Sequence, residues 1–410
     1  MIRRTLMQRN QELVDFEFDP ETNDVRIIDA SPEGEDVLAS VRPARLAPEP
    51  IRPSRSESLS WLARKRAISP LREDKDDIIA AFGVKSPIRL ALMGHGLSLS
   101  DQFWYRAPGG TERWEDINFF DNEWDPSFGA AVFKRDYAGL ASCSPNTPDA
   151  TTCGHAVKTW ERNAEGIFLI KESMTRESLV SEGADLRGAK LASDLCARLF
   201  DEGCCVRLDI VERYGKPCSA SPLMLAADEE FVDGNRLRAI AGMFEEPKKG
   251  EHDRMSKELF QSLIEAYAAA GIADASAHIA KMACCFCLTF VVDFHPGNFG
   301  AIRKLGTGTW RPAPIFDFEG PFGISGDDDS VRVFLRNPEL AKFLCACNFS
   351  LLDSSWDWSW YDPQALEGFE DCIMEALSPS MGMQLEYAGI VANLFAMQRA
   401  YVNDIASAQV

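Results

Sequence analysis

The chain has 410 residues, enough for roughly two or three domains with their own cores, and its 46% apolar and 10% aromatic content is that of a globular protein. Sixty-three acidic against 43 basic residues give a net charge of -20. That balance argues against general binding to nucleic acid or to anionic membranes, because both need positive surface to displace counterions.

Residues 13–29, LVDFEFDPETNDVRIID, alternate around a DPETND turn and predict a hairpin. The basic start of the chain, MIRRTLMQRNQELVDFEF, has no apolar stretch behind it and does not read as a signal peptide. VRPARLAPEPIRPSRSES, residues 41–58, is rich in Pro and Arg and reads as an extended, solvated connector, so 1–58 forms an N-terminal hairpin and linker. Helical texture follows to about Met93, and the aromatic and acidic stretch Gly96–Asn122 completes an accessory subdomain over 59–129. Trp104, Trp114 and Phe119 there read as packing surface.

Short strand-like runs then alternate with turns over 130–232: GHAVKTWE, IFLIKES, VRLDIVERYG and SPLML, with the amphipathic helix LRGAKLASDLCARLFDEG ending near Gly203. The segment 233–410 is mainly helical after Asp253, and SAHIAKMACCFCLTFVVD predicts a buried helix. No run of about 18 uncharged apolar residues predicts a membrane span, and no solenoid-type repeat is present. Twelve cysteines without an export signal read as reduced cytoplasmic thiols. CCFC (Cys284, Cys285, Cys287) and CAC (Cys345, Cys347) lack the spacing of a zinc knuckle and read as small hydrophobes in helical cores.

Chemistry concentrates in VVDFHPGNFGAI, which holds Asp293, His295 and Asn298, and in APIFDFEG, which holds Asp317. Phe299–Arg303 and Ala313–Asp317, separated by KLGTGTWRP, predict a hairpin with Asp293 and Asn298 entering one strand and Asp317 leaving the other. Three oxygen-bearing side chains at one end suit a hard cation such as Mg2+, bound together with substrate phosphates. Phosphoryl transfer needs metal, positioning and a carboxylate for the hydroxyl proton. Asp293 fits that last role, with Asn298 and Asp317 as metal ligands. His295 reads mainly as a strut for the loop backbone. Lys171 lies on the apolar strand IFLIKES, where an ammonium is costly without a purpose, and is the candidate cation for nucleotide phosphates. GDDDS (Asp327–Asp329) and EEPKKGEHDR read as solvated charged loops.

D-x-H-x-x-N followed by PIFD resembles the catalytic segment of the HipA-like serine/threonine kinases of the protein-kinase-like superfamily. GLSLSDQFW, WEDINFFDN, TTCGHAVKTW and IFLIKES resemble further segments of HipA-type and CtkA-like bacterial kinases in the same order, over about 59–320. The resemblance implies an α+β, protein-kinase-like two-lobe fold with a strand-rich N-lobe (130–232), a helical C-lobe (233–410) and an extra N-terminal region. It implies ATP and Mg2+ as the reagents, Lys171 as the nucleotide lysine, Asp293 as catalytic residue, and Asn298 and Asp317 as metal ligands. It also implies a phosphate loop in SPNTPDATTCGHAVK, with Thr151, Thr152, Gly154 and the closing Lys158 as nucleotide-binding residues and the two threonines as sites of self-phosphorylation. An antitoxin-type partner protein is implied as well; with no helix-turn-helix signature in this chain, any link to DNA runs through that partner.

The sequence departs from the family pattern at several points. Ala189 stands where a Glu usually pairs with the strand lysine, with Glu182 and Asp185 about one turn earlier. No G-x-G-x-x-G loop is present, Phe294 precedes the His, and Glu319 follows the D-F pair. The same loop wording also resembles small-molecule phosphotransferases, and a catalytically weak scaffold on a kinase fold is the third reading.

Overall fold

Strict alternation builds the first sheet. In Gln11–Phe18 the buried Val14, Phe16 and Phe18 are interleaved with Asp15 and Glu17, so one face meets the core and the other meets water. The computed structural model describes residues 1–41, 44–46, 50–51, 53–174, 183–245, 257–291, 296–318, 320–323, 352–378 and 383–408. Asp293, Phe294, His295, Glu182, Glu319, the acidic run Asp327–Asp329, and Cys345 with Cys347 lie outside the described residues.

The chain divides into two compact units. The first comprises Met1–Glu172, Leu223–Lys249 and Ala301–Arg311; the second comprises Ser173–Pro222, Gly250–Gly300 and Pro312–Val410. The segments 1–58 and 59–129 fall whole within the first unit, whereas 130–232 contributes to both. Both units mix helices with antiparallel strands, the α+β class expected from the sequence.

In the first unit a four-stranded antiparallel sheet runs in the order Val25–Ala30, Gln11–Phe18, Ile2–Gln8, Phe103–Arg106. The expected hairpin over 13–29 is its first two strands, with Asp19–Asp24 closing the turn through a backbone hydrogen bond of 2.9 Å. Helices Pro32–Ala39 and Arg55–Lys65 cover the apolar face, burying Leu38, Leu59 and Leu62 against Phe16, Phe18 and Phe103. The second helix begins at a full capping box, Ser54 with Glu57, which satisfies two otherwise orphaned donors. Trp104, Trp114 and Phe119 are all nearly fully buried, as packing residues should be. Arg66, only 2% exposed, is held by Asp101 and by the carbonyls of Gly96 and Phe103.

The connector, expected as an extended arm, carries two short strands. Ala44–Leu46 pairs antiparallel with Pro50–Ile51 and parallel with Phe244–Glu245. Ala-Arg-Leu is free of proline and keeps its ladder donors, and Pro50 occupies the first position of its strand, where its missing N–H is tolerated.

In the second unit, helix Ala184–Leu199 packs on helix Ala275–Thr289, the buried helix expected from SAHIAKMACCFCLT. Cys284, Cys285 and Cys287 are fully buried along it, and Cys285 Sγ lies 3.0 Å from Cys196 Sγ. Burial pushes the Cys196 and Cys284 thiols well above their ordinary range, so both stay protonated and behave as core atoms. Helix Ala184–Leu199 stops four residues before Gly203, at Phe200, whose extended backbone turns its ring onto Trp360 at 5.3 Å. The strand expected in SPLML forms earlier, as Lys216–Pro222, paired with Asp209–Arg213 across the Tyr214–Gly215 turn. Tyr214 and Gly215 both take left-handed φ, +54° and +73°. That turn geometry, not the apolarity of Leu223–Leu225, sets the register.

Candidate functional site

The first unit places two lysines side by side. Lys158–Asn163 and Gly166–Glu172 form a hairpin with Lys158 opposite Lys171, Thr159 opposite Ile170, and Trp160 opposite Leu169. Alternation divides these pairs between two faces. Thr159 and Ile170, 3% and 1% exposed, face helix Ser127–Lys134, which approaches so closely at Gly129 that a Cβ there would overlap the Thr159 hydroxyl. The opposite face therefore carries Lys158 and Lys171 together, with Trp160 and Leu169 beside them. Like charges directly opposite in a ladder repel, and Lys158 is only 3% exposed. The pair sets two cations on one face of the hairpin, with an apolar floor adjoining them.

The loop before the hairpin folds back onto this face. Pro148–Thr151 makes a single 3-10 turn, and Asp149 accepts a 2.9 Å hydrogen bond from the Trp160 backbone N–H. Thr151 donates its hydroxyl to the Leu97 carbonyl at 2.6 Å and is buried. Thr152 donates to the Pro148 carbonyl at 2.7 Å and accepts from the Trp160 indole N–H at 2.9 Å. Gly154 has φ of +104°, a backbone conformation that favours glycine, and it lies close to the Lys158 ammonium. Thr152, Gly154, Lys158 and Lys171 thus come together, while the Thr151 hydroxyl turns toward Leu97. Trp160 ties loop to hairpin; its place opposite Leu169, two residues along from Lys158, is the sequence signal that marks it.

The second unit holds Asn298 and Asp317. Asn298 is 8% exposed and stands two residues before Gly300. The Gly300 carbonyl accepts from the Ala313 N–H at 2.9 Å and from the Tyr267 hydroxyl at 2.6 Å. Beyond Ala313, Ile315 donates to the Cys204 carbonyl at 2.8 Å and accepts from the Val206 N–H at 2.9 Å. Because Gly300 and Ala313 run antiparallel, residues before the one and after the other lie at the same end. Asn298 and Asp317 are so placed.

The strands themselves correct the expected limits. They are Gly300–Lys304 and Trp310–Pro312, with Ile315 held only by a bridge to Cys205. Gly306 and Gly308 both adopt left-handed φ and close the turn early, through Gly308 N–H to Lys304 O at 3.0 Å. Pairing therefore begins at Trp310, inside the segment read as loop.

Asp317 has φ of +62°, and two bulky residues of the same unit, Phe290 and Phe322, have φ of +60° and +58°. Left-handed backbone costs a phenylalanine about 1–3 kcal/mol and persists only where neighbours enforce it. The neighbours are visible. The Phe290 and Phe322 rings meet edge to face at 5.8 Å, Phe318 packs on Phe286 at 6.2 Å, and the Tyr387 hydroxyl donates to the Phe322 carbonyl at 2.6 Å. Burial pushes both the Tyr267 and Tyr387 phenols up, so both remain donors at any working pH. Tyr267 and Tyr387 are positioning residues that the sequence reading did not single out, since a buried tyrosine at helical spacing reads simply as core. Tyr267→Phe is expected to lower stability by about 1 kcal/mol through loss of one neutral hydrogen bond, read as a fall in the urea midpoint at unchanged slope.

Ala189 is buried, facing the core of the second unit. Asp185 accepts from the Ser173 hydroxyl at 2.6 Å and from the Met174 N–H at 2.8 Å, fixing the chain just after the lysine strand. Among the described residues, no three His, Cys, Asp or Glu side chains gather as metal ligands. A metal at this end would rest on Asn298 and Asp317, one amide and one carboxylate oxygen, which is the hard donor set Mg2+ takes when phosphate oxygens complete its shell.

No family model matches the sequence. No curated protein matches it either. Among solved structures, the chain is similar to the Helicobacter pylori proinflammatory kinase CtkA, at 12% identity and a TM-score of 0.42 over 62% of this chain and 93% of that one. It is also similar to HipA from the Shewanella oneidensis MR-1 toxin–antitoxin complex of HipA, HipB and operator DNA, at 12% identity and a TM-score of 0.49 over 98% of this chain and 99% of that one.

Proposed function

We propose that this chain is an ATP- and Mg2+-dependent serine/threonine kinase of HipA type with a protein hydroxyl as acceptor. The observation that carries the proposal is the Lys158–Lys171 register pair, set over Gly154 in a loop with no side chain to obstruct an anion. Two ammonium groups beside the apolar Trp160 and Leu169 suit a nucleotide, which presents phosphates at one end and a base at the other. Asn298 and Asp317 supply the oxygen donors for Mg2+, which when bound neutralises phosphate charge.

In the proposed step, the acceptor oxygen forms a bond to the γ-phosphorus. The bond between that phosphorus and the β–γ bridging oxygen breaks, and ADP leaves. Asp293 takes the hydroxyl proton, and His295 supports the backbone that presents it. Lys158 and Lys171 hold the nucleotide phosphates in line, and Asp317, its backbone fixed in the left-handed region, keeps its carboxylate in one orientation. Thr151 and Thr152 are the proposed self-phosphorylation sites; each must first release the carbonyl its hydroxyl now engages. A cytoplasmic bacterial setting and an antitoxin-type partner protein belong to the same proposal, on the likeness of the catalytic segment alone.

Calorimetric titration of ATP with Mg2+ tests the nucleotide half. Wild type is expected to bind, and Lys158→Met to bind at least about tenfold more weakly, a loss of about 1.4 kcal/mol, with its melting temperature preserved. Equal affinity in the two proteins would remove the lysine pair from the site.

A further inference from the structure

A cavity lies within the first unit, apart from the lysine hairpin. It encloses about 580 Å³ between helix Pro32–Ala39, the start of helix Arg55–Lys65 and helix Gly234–Ile240. One part of its wall is apolar, with Val37, Leu38 and Met243; the other presents Arg236 and Arg303.

The two guanidinium groups share one carboxylate. Glu230 is 0% exposed, and its Oε1 is 3.7 Å from an Arg236 Nη and in direct ion-pair contact with Arg303. Its other oxygen accepts a long 3.5 Å contact from the neutral Gln8 amide. Among the buried groups one carboxylate thus faces two guanidinium groups, while the exposed Asp36 carboxylate lines the same cavity at its rim. Both cations are also held in plane: Arg236 lies over the Phe103 ring at 5.5 Å and Arg303 over the Trp310 ring at 5.5 Å. The side chain of Arg236 is 9% exposed, and its Nε, like that of Arg303, has no hydrogen-bond partner among the described residues. A buried guanidinium with an unused Nε donor is costly unless an acceptor completes it. At the rim, Glu35 is matched by Arg55, so a ligand carrying many negative charges gains nothing there.

We propose that this cavity binds a small organic anion, with one carboxylate or phosphomonoester head on Arg236 and Arg303 and an apolar body against Val37, Leu38 and Met243. A half-open cleft of this volume accommodates such a ligand with its head group against the arginines. The site is independent of the proposed kinase chemistry, since none of its residues belongs to the nucleotide or metal set.

Two variants divide the roles: Arg303→Gln removes one of the two guanidinium groups and leaves Arg236 as the partner of Glu230, whereas Arg303→Lys keeps the cation and controls for the loss of the buried ion pair. The full chain is titrated by calorimetry with phenylacetate, phenyl phosphate, inorganic phosphate and the neutral 2-phenylethanol. Wild type is expected to bind phenylacetate or phenyl phosphate at least about tenfold more tightly than 2-phenylethanol, and the better of the two identifies the head group. Arg303→Gln is expected to lose that preference at a temperature where it remains folded, while Arg303→Lys and Asp317→Ala keep it. Inorganic phosphate binding as tightly as phenyl phosphate would overturn the role of the apolar wall. Failure of both aromatic anions to bind wild type, or undiminished binding by Arg303→Gln, would overturn the site.

Discussion

Asp317→Ala is expected to lower the rate of phosphate transfer by at least about 10³-fold, or roughly 4 kcal/mol of transition-state stabilisation, while leaving the melting temperature nearly unchanged. The carboxylate is the charged member of the proposed metal pair, and its loss leaves only the neutral Asn298 amide to hold Mg2+. Stability is preserved because other residues hold the local backbone. Asp317 has φ of +62°, and the local fold is fixed by its neighbours: Phe318 on Phe286, and Ile315 between Cys204 and Val206. Alanine tolerates left-handed backbone less well than aspartate, at a cost of about 1 kcal/mol. Asp317→Asn, which keeps the backbone preference, separates that small cost from the loss of charge. Steady-state rates against magnesium concentration read the effect, and a rate for Asp317→Ala within tenfold of wild type would remove Asp317 from the chemistry.

The second large effect concerns pH and stability. Asp149 is 1% exposed, and burial pushes its carboxyl up to about 6, against partial compensation from the Trp160 N–H and nearby Arg72. A raised carboxyl pKa means that the folded state holds its proton more tightly than the unfolded chain does. Stability from Asp149 is therefore fully present below about pH 4 and is lost as pH rises through 6. The shift corresponds to about 3 kcal/mol. Asp149→Asn removes this titration and keeps an oxygen for the Trp160 N–H, so the variant should gain on wild type by about that amount between pH 4 and 7. His278 titrates with the opposite sign: burial lowers it to about 4, so its contribution is lost as pH falls from 6.5. It is common to both proteins and cancels in the difference. Urea midpoints at closely spaced pH values check the prediction, and a difference independent of pH would refute it.

How much could be read from the sequence follows from which forces decide each element. The N-terminal hairpin and the helices Ala184–Leu199 and Ala275–Thr289 were legible because side-chain periodicity alone specifies them. Lys171 stood out as an ammonium on an apolar strand, but its partner Lys158 acquires meaning only from the register that sets the two opposite each other. Register is fixed by the turn at Asn163–Gly166, not by the lysines. The strand limits near Asp317 were missed because Gly306 and Gly308 tighten the turn through backbone conformation. Tyr267 and Tyr387 were invisible for a different reason: their hydroxyls act on backbone carbonyls distant in sequence, and no local pattern encodes such a contact. The Arg236–Glu230–Arg303 cluster likewise joins charges from separate segments that look, in sequence, like ordinary surface.

The central claim is phosphate transfer by this chain, and intact mass spectrometry after incubation with Mg2+ and ATP tests it most directly. Wild type, Asp293→Asn and Asp317→Ala are compared. The account predicts that wild type alone gains at least one phosphate, on Thr151 or Thr152. A wild-type protein that gains none, or an Asp317→Ala protein that gains as much, would contradict it.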